Sequence, residues 1–148
     1  MRIAVIADTH NRLPYPLLDS IAAADEIWHL GDVTEPRILA AVVALGRPVK
    51  VVRGNCDEYP AWPEHLDFTI TGLKIRLVHI PPAQARDGTD LLLHGHTHVP
   101  RRELVGNTWF LNPGCITRPN RGAPASYAWL TLAEGKPFQW EIHPAPRE

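Results

Sequence analysis

Short polar clusters recur along this chain: Asp8-Thr9-His10, Gly31-Asp32, Gly54-Asn55-Cys56-Asp57, His79, and Gly95-His96-Thr97-His98. Carboxylate, imidazole and amide oxygen are the donors that hold hydrolytic divalent metals. Any one cluster alone is ordinary. Asp8-Thr9-His10 reads as a turn or helix entry, Gly31-Asp32 as a strand-to-loop turn and Gly54-Asn55 as a common turn dipeptide. Gly95-His96-Thr97-His98 is the stronger signal, because paired imidazoles after a glycine are uncommon as packing residues and suit coordination. Placement ties the clusters together, since most follow an apolar run of strand character. In an open parallel sheet ligands bind beyond the carboxyl ends of the strands, so these groups should converge in one crevice. Gly31, Gly54 and Gly95 permit the sharp turns that point a side chain back over a sheet edge.

The elements that must position them alternate in the first half. Ile3–Ala7, Ile27–Leu30 and Val49–Val52 read as buried strands. Pro16–Ala24 and Pro36–Leu45 have helical spacing with proline at or near the start, and Gly46 closes the second. Strand, helix, strand, helix, strand implies right-handed crossovers and a parallel sheet. Phe68–Ile70 and Lys74–Val78 flank Thr71-Gly72-Leu73 as a hairpin, and Leu91–Leu93 is another buried run. From Arg101 onward only strands are indicated, at Arg101–Val105, Thr108–Leu111, Ser126–Leu132 and Phe138–Ile142. The expected fold class is α/β, two face-to-face β-sheets flanked by helices, in a single domain over residues 1–148.

Composition narrows the function classes. A chain of 148 residues suits one domain. Fifteen basic residues against sixteen acidic ones give a net charge of −1, so no strong nucleic-acid footprint is expected. No apolar run is long enough to cross a bilayer, and the early Asp8 does not suit a signal peptide. Two cysteines, Cys56 and Cys115, are too few for a disulfide framework. A cytoplasmic protein with reduced thiols is expected.

With these residues in place, the chain resembles the calcineurin-like metallophosphoesterase superfamily, whose pattern runs D-x-H, G-D, G-N-H/C-D/E, a lone His, then G-H-x-H. Gly-Asn-Cys-Asp and Asn112-Pro113-Gly114 are most similar to its small single-domain bacterial and archaeal phosphodiesterases. The resemblance implies the αββα sandwich and two divalent ions: Mn²⁺ first, with Ni, Fe, Zn or Mg open. Asp8, His10, Asp32 and His98 would hold one ion, and Asp32, Asn55, His79 and His96 the other, with Asp32 bridging. Two such ions against two carboxylates leave a charge of about +2, which attracts a phosphate ester. The family's reaction is in-line attack of activated water on phosphorus. His79-Ile80-Pro81-Pro82 departs from the family's His-Gly, and a short connection follows to Asp90, which should open one side of the crevice.

Around the ligands, Asn55, Cys56 and Arg118 are the expected substrate contacts, with Asp32, Asn55, His10 and Asp57 as catalytic residues. Family members often place a proton-donating His where Cys56 stands; a thiol with a pKa of about 8.5 is a weaker substitute. Good leaving groups, or protonation by Asp57 or His10, follow from that, and Cys56 can also be read as a small packing residue. His29 and His94 read equally as supports for the ligands or as core histidines, and His65 and His143 as surface residues. The five tryptophans read first as core or loop packing, with Trp62 the one allowed near a substrate; Arg118 and Arg121 form a phosphate clamp or a solvated basic loop, and Cys115 carries no role. The expected function is a metal-dependent phosphodiesterase acting on a small phosphodiester, with a homo-oligomer left open. A phosphomonoesterase is one alternative. A non-catalytic scaffold of the same fold, as in the eukaryotic retromer, is the other, and the retained ligand set argues against it.

Overall fold

The computed structural model describes residues 1–147. Strand β1 (Arg2–Ile6) leads to helix α1 (Tyr15–Ile21), β2 (Glu26–His29), helix α2 (Pro36–Val43) and β3 (Val49–Val51). Then come β4 (His65–Ile70), β5 (Leu73–Val78), β6 (Leu91–Leu93), β7 (Arg101–Val105), β8 (Thr108–Asn112), β9 (Ser126–Thr131) and β10 (Gln139–Pro144). Each strand and helix expected from the sequence is present, with ends shifted by a few residues; β4 begins earlier, at His65. Pro16 and Pro36 sit in the first helical turn, where the missing N–H would have no intrahelical partner anyway.

Two five-stranded sheets result, ordered β10-β9-β1-β2-β3 and β4-β5-β6-β8-β7. Each contains a parallel trio, β1-β2-β3 in the first and β5-β6-β8 in the second. The strand periodicity of two assigns the faces. Ile3 and Val5 of β1 join Ile75, Leu77, Leu91, Leu93 and Leu111 of the second sheet in the core between the sheets. Ala4 and Ile6, one residue out of phase, meet Leu17, Ile21 and Val42 of the two helices. Both helices lie on the outer face of the first sheet. On the outer face of the second, Val78, Leu92 and Phe110 form a small cluster touched by Ala85 of the β5–β6 connection, which contains no helix. The parallel β5–β6 crossover is thus made by proline-rich irregular chain. No described helix is long and apolar enough to cross a membrane.

Leu77 is fully buried between the sheets, whereas Leu104 on the edge strand β7 is 53% exposed. Leu77→Ala should lower the unfolding free energy by about 2–5 kcal/mol. Leu104→Ala should change it by less than about 0.5 kcal/mol. Urea unfolding of the two variants is the measurement.

Candidate metal centre

The carboxyl ends of both parallel trios open onto the same crevice. Asp8 and His10 follow β1, Asp32 follows β2, Asn55 follows β3, His79 follows β5 directly, and His96 and His98 follow β6. Asp8, His10, Asp32, His96 and His98 all have left-handed backbone, with φ of 55°, 49°, 58°, 76° and 62°. For a non-glycine residue that conformation costs about 1–3 kcal/mol and persists only where the surroundings over-determine it. Here Asp8 N–H donates to Gly31 O (3.0 Å), His10 N–H to Asp32 O (2.9 Å), and Gly95 N–H to His79 O (3.1 Å). Across the two sheets, His96 N–H donates to Asp8 Oδ2 (3.2 Å).

The donor atoms converge in two imidazole pairs around the carboxylates. The His10 and His98 rings lie 5.4 Å apart and the His79 and His96 rings 5.2 Å apart. His79 Nδ1–H donates to Leu30 O (2.8 Å) and His98 Nδ1–H to Arg118 O (2.6 Å), which turns each Nε2 toward the crevice. There His79 Nε2 stands 3.3 Å from Asp32 Oδ2, and His98 Nε2 stands 3.4 Å from Asp8 Oδ1. Donors bound to a single ion at about 2.0–2.2 Å lie roughly 3.0–3.5 Å from one another. Asp8 Oδ1, His10 Nε2 and His79 Nε2 are buried without a hydrogen-bond partner. Lone pairs facing one another in a buried site repel unless a proton or a metal cation lies between them, so the residues fit divalent metal. His96 Nδ1 and Asn55 Oδ1 approach to 3.2 Å at the exposed mouth. The seven residues expected as ligands therefore lie together. Asp8, His10 and His98 form one group that could hold an ion, and Asp8, Asp32 and His79 another.

Residues behind the donors hold them in place. His29 is fully buried; its Nδ1 accepts from Gly31 N–H (3.1 Å), so its Nε2–H donates to Thr9 Oγ1 (2.9 Å). One imidazole thus ties the loops after β1 and β2. Asp57 needs a correction: Oδ2 accepts from Asp32 N–H (2.9 Å) and Gly54 N–H (2.7 Å), and Oδ1 from Thr34 N–H (2.7 Å). Three backbone donors occupy its oxygens, so Asp57 shapes the Asp32 turn and does not aim a proton at the crevice. Gly54 has no room for a side chain, because a Cβ would come within 2.2 Å of Asp32 Oδ1. Its φ is not left-handed; close approach, not turn geometry, requires the glycine.

The Asn112-Pro113-Gly114 segment serves the histidine loop. Asn112 Nδ2–H donates to Gly95 O (3.3 Å) and Thr97 Oγ1 (3.0 Å), and Asn112 Oδ1 accepts from Gly114 N–H (2.8 Å). The last bond is an Asx turn, a local signal from which a structural role was readable. Cys115, assigned no role from sequence, is buried; its Sγ–H donates to Asp8 O (3.3 Å) and the sulfur accepts from Arg118 N–H (3.0 Å). The packing reading of Cys56 fails, since the residue is exposed at the crevice mouth and its sulfur lies within 4.8 Å of donor atoms of His10 and Asp32. Trp62 takes the packing role read first for the tryptophans, not the substrate contact also allowed for it. It is buried against Val33 and Ile38, with the Tyr59 ring at 5.0 Å. Arg118 is exposed, and its charge acts on His10.

Burial governs the electrostatics. Asp8 is raised to about 6 by burial, against the opposing pull of His79 and His98. Burial also pushes Asp32 up, but the His79 imidazole and the Cys56 N–H outweigh it and bring the carboxyl down to about 2. His79 is raised, its burial overcome by Asp32 and Asp8, whereas burial lowers His10 and His96. Burial, with Asp32 next, raises the Cys56 thiol. His29 is lowered to about 3 by burial, in keeping with a neutral tether.

The comparisons with known proteins bear on the same residues. The model of the calcineurin-like phosphoesterase superfamily domain matches residues 1–135. The chain belongs to that superfamily. A probable metallophosphoesterase of Methanothermobacter thermautotrophicus is 32% identical over 143 residues, covering 84% of this chain and 83% of the relative. Phosphodiesterase YfcE of Escherichia coli is 29% identical over 160 residues, covering 88% and 87%. In fold, Vps29 of Entamoeba histolytica, solved with Zn²⁺, matches with a TM-score of 0.77 at 24% identity, over 97% of this chain and 98% of that one. The superfamily binds divalent metals, and this metallophosphoesterase domain carries donor groups that suit them.

Asp8 gives a pH test. Its folded-state value of about 6 exceeds the ordinary 3.8, so ionisation opposes folding; that penalty is absent at low pH, develops between these values and is complete above them. In chelator, Asp8→Asn should raise the melting temperature at about pH 7.5 and change it little at about pH 4. Thermal unfolding at both pH values checks the sign.

Proposed function

We propose that this chain is a divalent-metal-dependent phosphodiesterase with a dinuclear centre. The observation that carries the reading is the pair of imidazole groups, His10/His98 and His79/His96, set around Asp8 and Asp32 with buried donor atoms left unpartnered. Asp8, His10, Asp32 and His98 would hold one ion, and Asp32, Asn55, His79 and His96 the other. Manganese is the first candidate for such oxygen and imidazole donors, with Ni, Fe, Zn or Mg as alternatives. When bound, such ions would supply positive charge for the phosphoryl oxygens and lower the pKa of water at the centre to near neutral.

The chain's own residues do the rest. Leu30 O and Arg118 O fix the His79 and His98 tautomers, so that Nε2 carries the lone pair. Asn55 and Cys56 border the mouth, where a phosphate ester would sit against them. The raised thiol of Cys56 keeps its proton at neutral pH and adds no negative charge beside the phosphate. A thiol protonates a departing alkoxide less readily than an imidazolium, which favours diesters with good leaving groups over demanding monoesters. Arg118, exposed beside His10, supplies a further cation for the phosphate. The phosphodiesterase name of the E. coli relative agrees with this substrate class.

After reconstitution with Mn²⁺, native mass spectrometry should find two ions per chain. Bis(p-nitrophenyl) phosphate should be cleaved faster than p-nitrophenyl phosphate, chelator should stop the reaction, and Asp32→Ala should abolish it. A tenfold monoester preference, about 1.4 kcal/mol in the barrier, would make the protein a phosphatase. Failure to take up any divalent ion would leave the scaffold reading.

A further inference from the structure

Two clefts flank the approach of Asn55 to His96. One, of about 510 Å³, is bounded on the His96 side by Thr97, Val99, Arg101, Asn120 and Arg121. The other, of about 430 Å³, lies on the Asn55 side between Arg53, Arg76, Val78 and Ile80, where the short β5–β6 connection begins. A phosphodiester carries two ester arms, and a cleft on either side offers each arm a place.

The clefts differ in charge compensation. On the Asn55 side, Arg53 pairs with Glu64 (2.7 Å) and Arg76 with Asp67 (2.9 Å). On the His96 side, Arg101 donates to Glu103 (2.8 Å) and to His94 Nε2 (3.2 Å), and its guanidinium lies 4.6 Å from the Phe110 ring centroid. Arg121 is exposed and has no carboxylate partner among the described residues. Its loop is anchored to the centre: Arg118 O accepts from His98 Nδ1–H (2.6 Å) and Asn120 N–H donates to His98 O (3.1 Å). The Asn120 side chain turns back on the loop and accepts from Arg121 N–H (2.9 Å). Arg121 itself has left-handed backbone, φ 52°. The Thr97 hydroxyl, which accepts from Asn112, keeps its own proton to donate at the same wall.

We infer that the cleft on the His96 side is a subsite for a second anionic group on one arm of the substrate, with Arg121 as its contact, while the opposite cleft takes an uncharged arm. The inference rests on the phosphodiesterase reading. It narrows the substrate class to diesters in which one ester group bears a further phosphate or carboxylate. A guanidinium with no internal partner gains most from a bidentate oxyanion, and the compensated arginines opposite gain little.

The experiment compares p-nitrophenyl thymidine 5′-phosphate with the same ester bearing a 3′-phosphate, both releasing nitrophenolate from an identical bond. With the Mn²⁺-loaded protein, the 3′-phosphorylated ester should have a KM lower by about tenfold, as expected of one charged hydrogen-bonded contact. Arg121→Gln should bring the two KM values to within about twofold, and Arg121→Lys should restore part of the difference. p-Nitrophenyl phosphorylcholine, with a cationic arm, should be the poorest of the three substrates. Calorimetric binding of thymidine 3′,5′-bisphosphate against thymidine 5′-phosphate gives a readout that needs no turnover. Equal affinity for the two nucleotides, or a preference that survives Arg121→Gln, would overturn the subsite. A bisphosphate preference lost in Arg121→Gln, without hydrolysis of any ester, would keep the subsite and overturn the phosphodiesterase reading.

Discussion

Left-handed backbone at the donor-bearing loops is the constraint around which this fold is arranged. Asp8, His10, Asp32, His96 and His98 all occupy it without being glycine. An L-residue in that region turns the chain sharply and throws its side chain back across the strand end, which aims the donors into the crevice. Its cost must be met by the surroundings. The loops after β1 and β2 exchange backbone hydrogen bonds beyond the ends of the strands, His29 bridges them from below, and Asp57 gathers three N–H groups around the Asp32 turn. Removing any of these supports would let a turn relax, and the donors would diverge.

The same loops concentrate charge where water is excluded. Asp8 is completely buried and Asp32 nearly so, and the neighbouring imidazoles and the backbone N–H groups of His96 and Cys56 balance them. Within one small volume burial raises Asp8, while the His79 imidazole and the Cys56 N–H hold Asp32 low. A centre poised in this way favours a cation over protons near neutral pH, which connects the electrostatics to the phosphoesterase chemistry of the superfamily.

Architecture supplies the convergence. Each sheet contributes a parallel trio whose carboxyl ends face the crevice, and the core between them fixes their relative position. Helices cover the first sheet only. The second sheet crosses from β5 to β6 through proline-rich chain, leaving a cleft beside Asn55 where a bulkier connection would fill space.

Much of this was readable from residue order. Alternating apolar runs place β1 to β3 and the two helices, because burial imposes its period directly on the chain. The polar clusters after those runs mark the donors, because strand ends in a parallel sheet share one edge. Other features depend on partners distant in sequence. Asp57 reads as an acid until Asp32, Gly54 and Thr34 are seen donating to it, and Cys56 reads as packing until its exposure is known. Trp62, open in sequence to packing or to a substrate contact, packs with Val33 and Ile38 beside α2. His29 and Cys115 gain their positioning roles only when Thr9, Gly31 and Asp8 are brought against them. Donor identity is a property of residue type and local turn chemistry, which neighbours in sequence specify. Tautomer, charge state and the direction of each lone pair are set by hydrogen bonds and burial across the two sheets, and only the folded chain decides them.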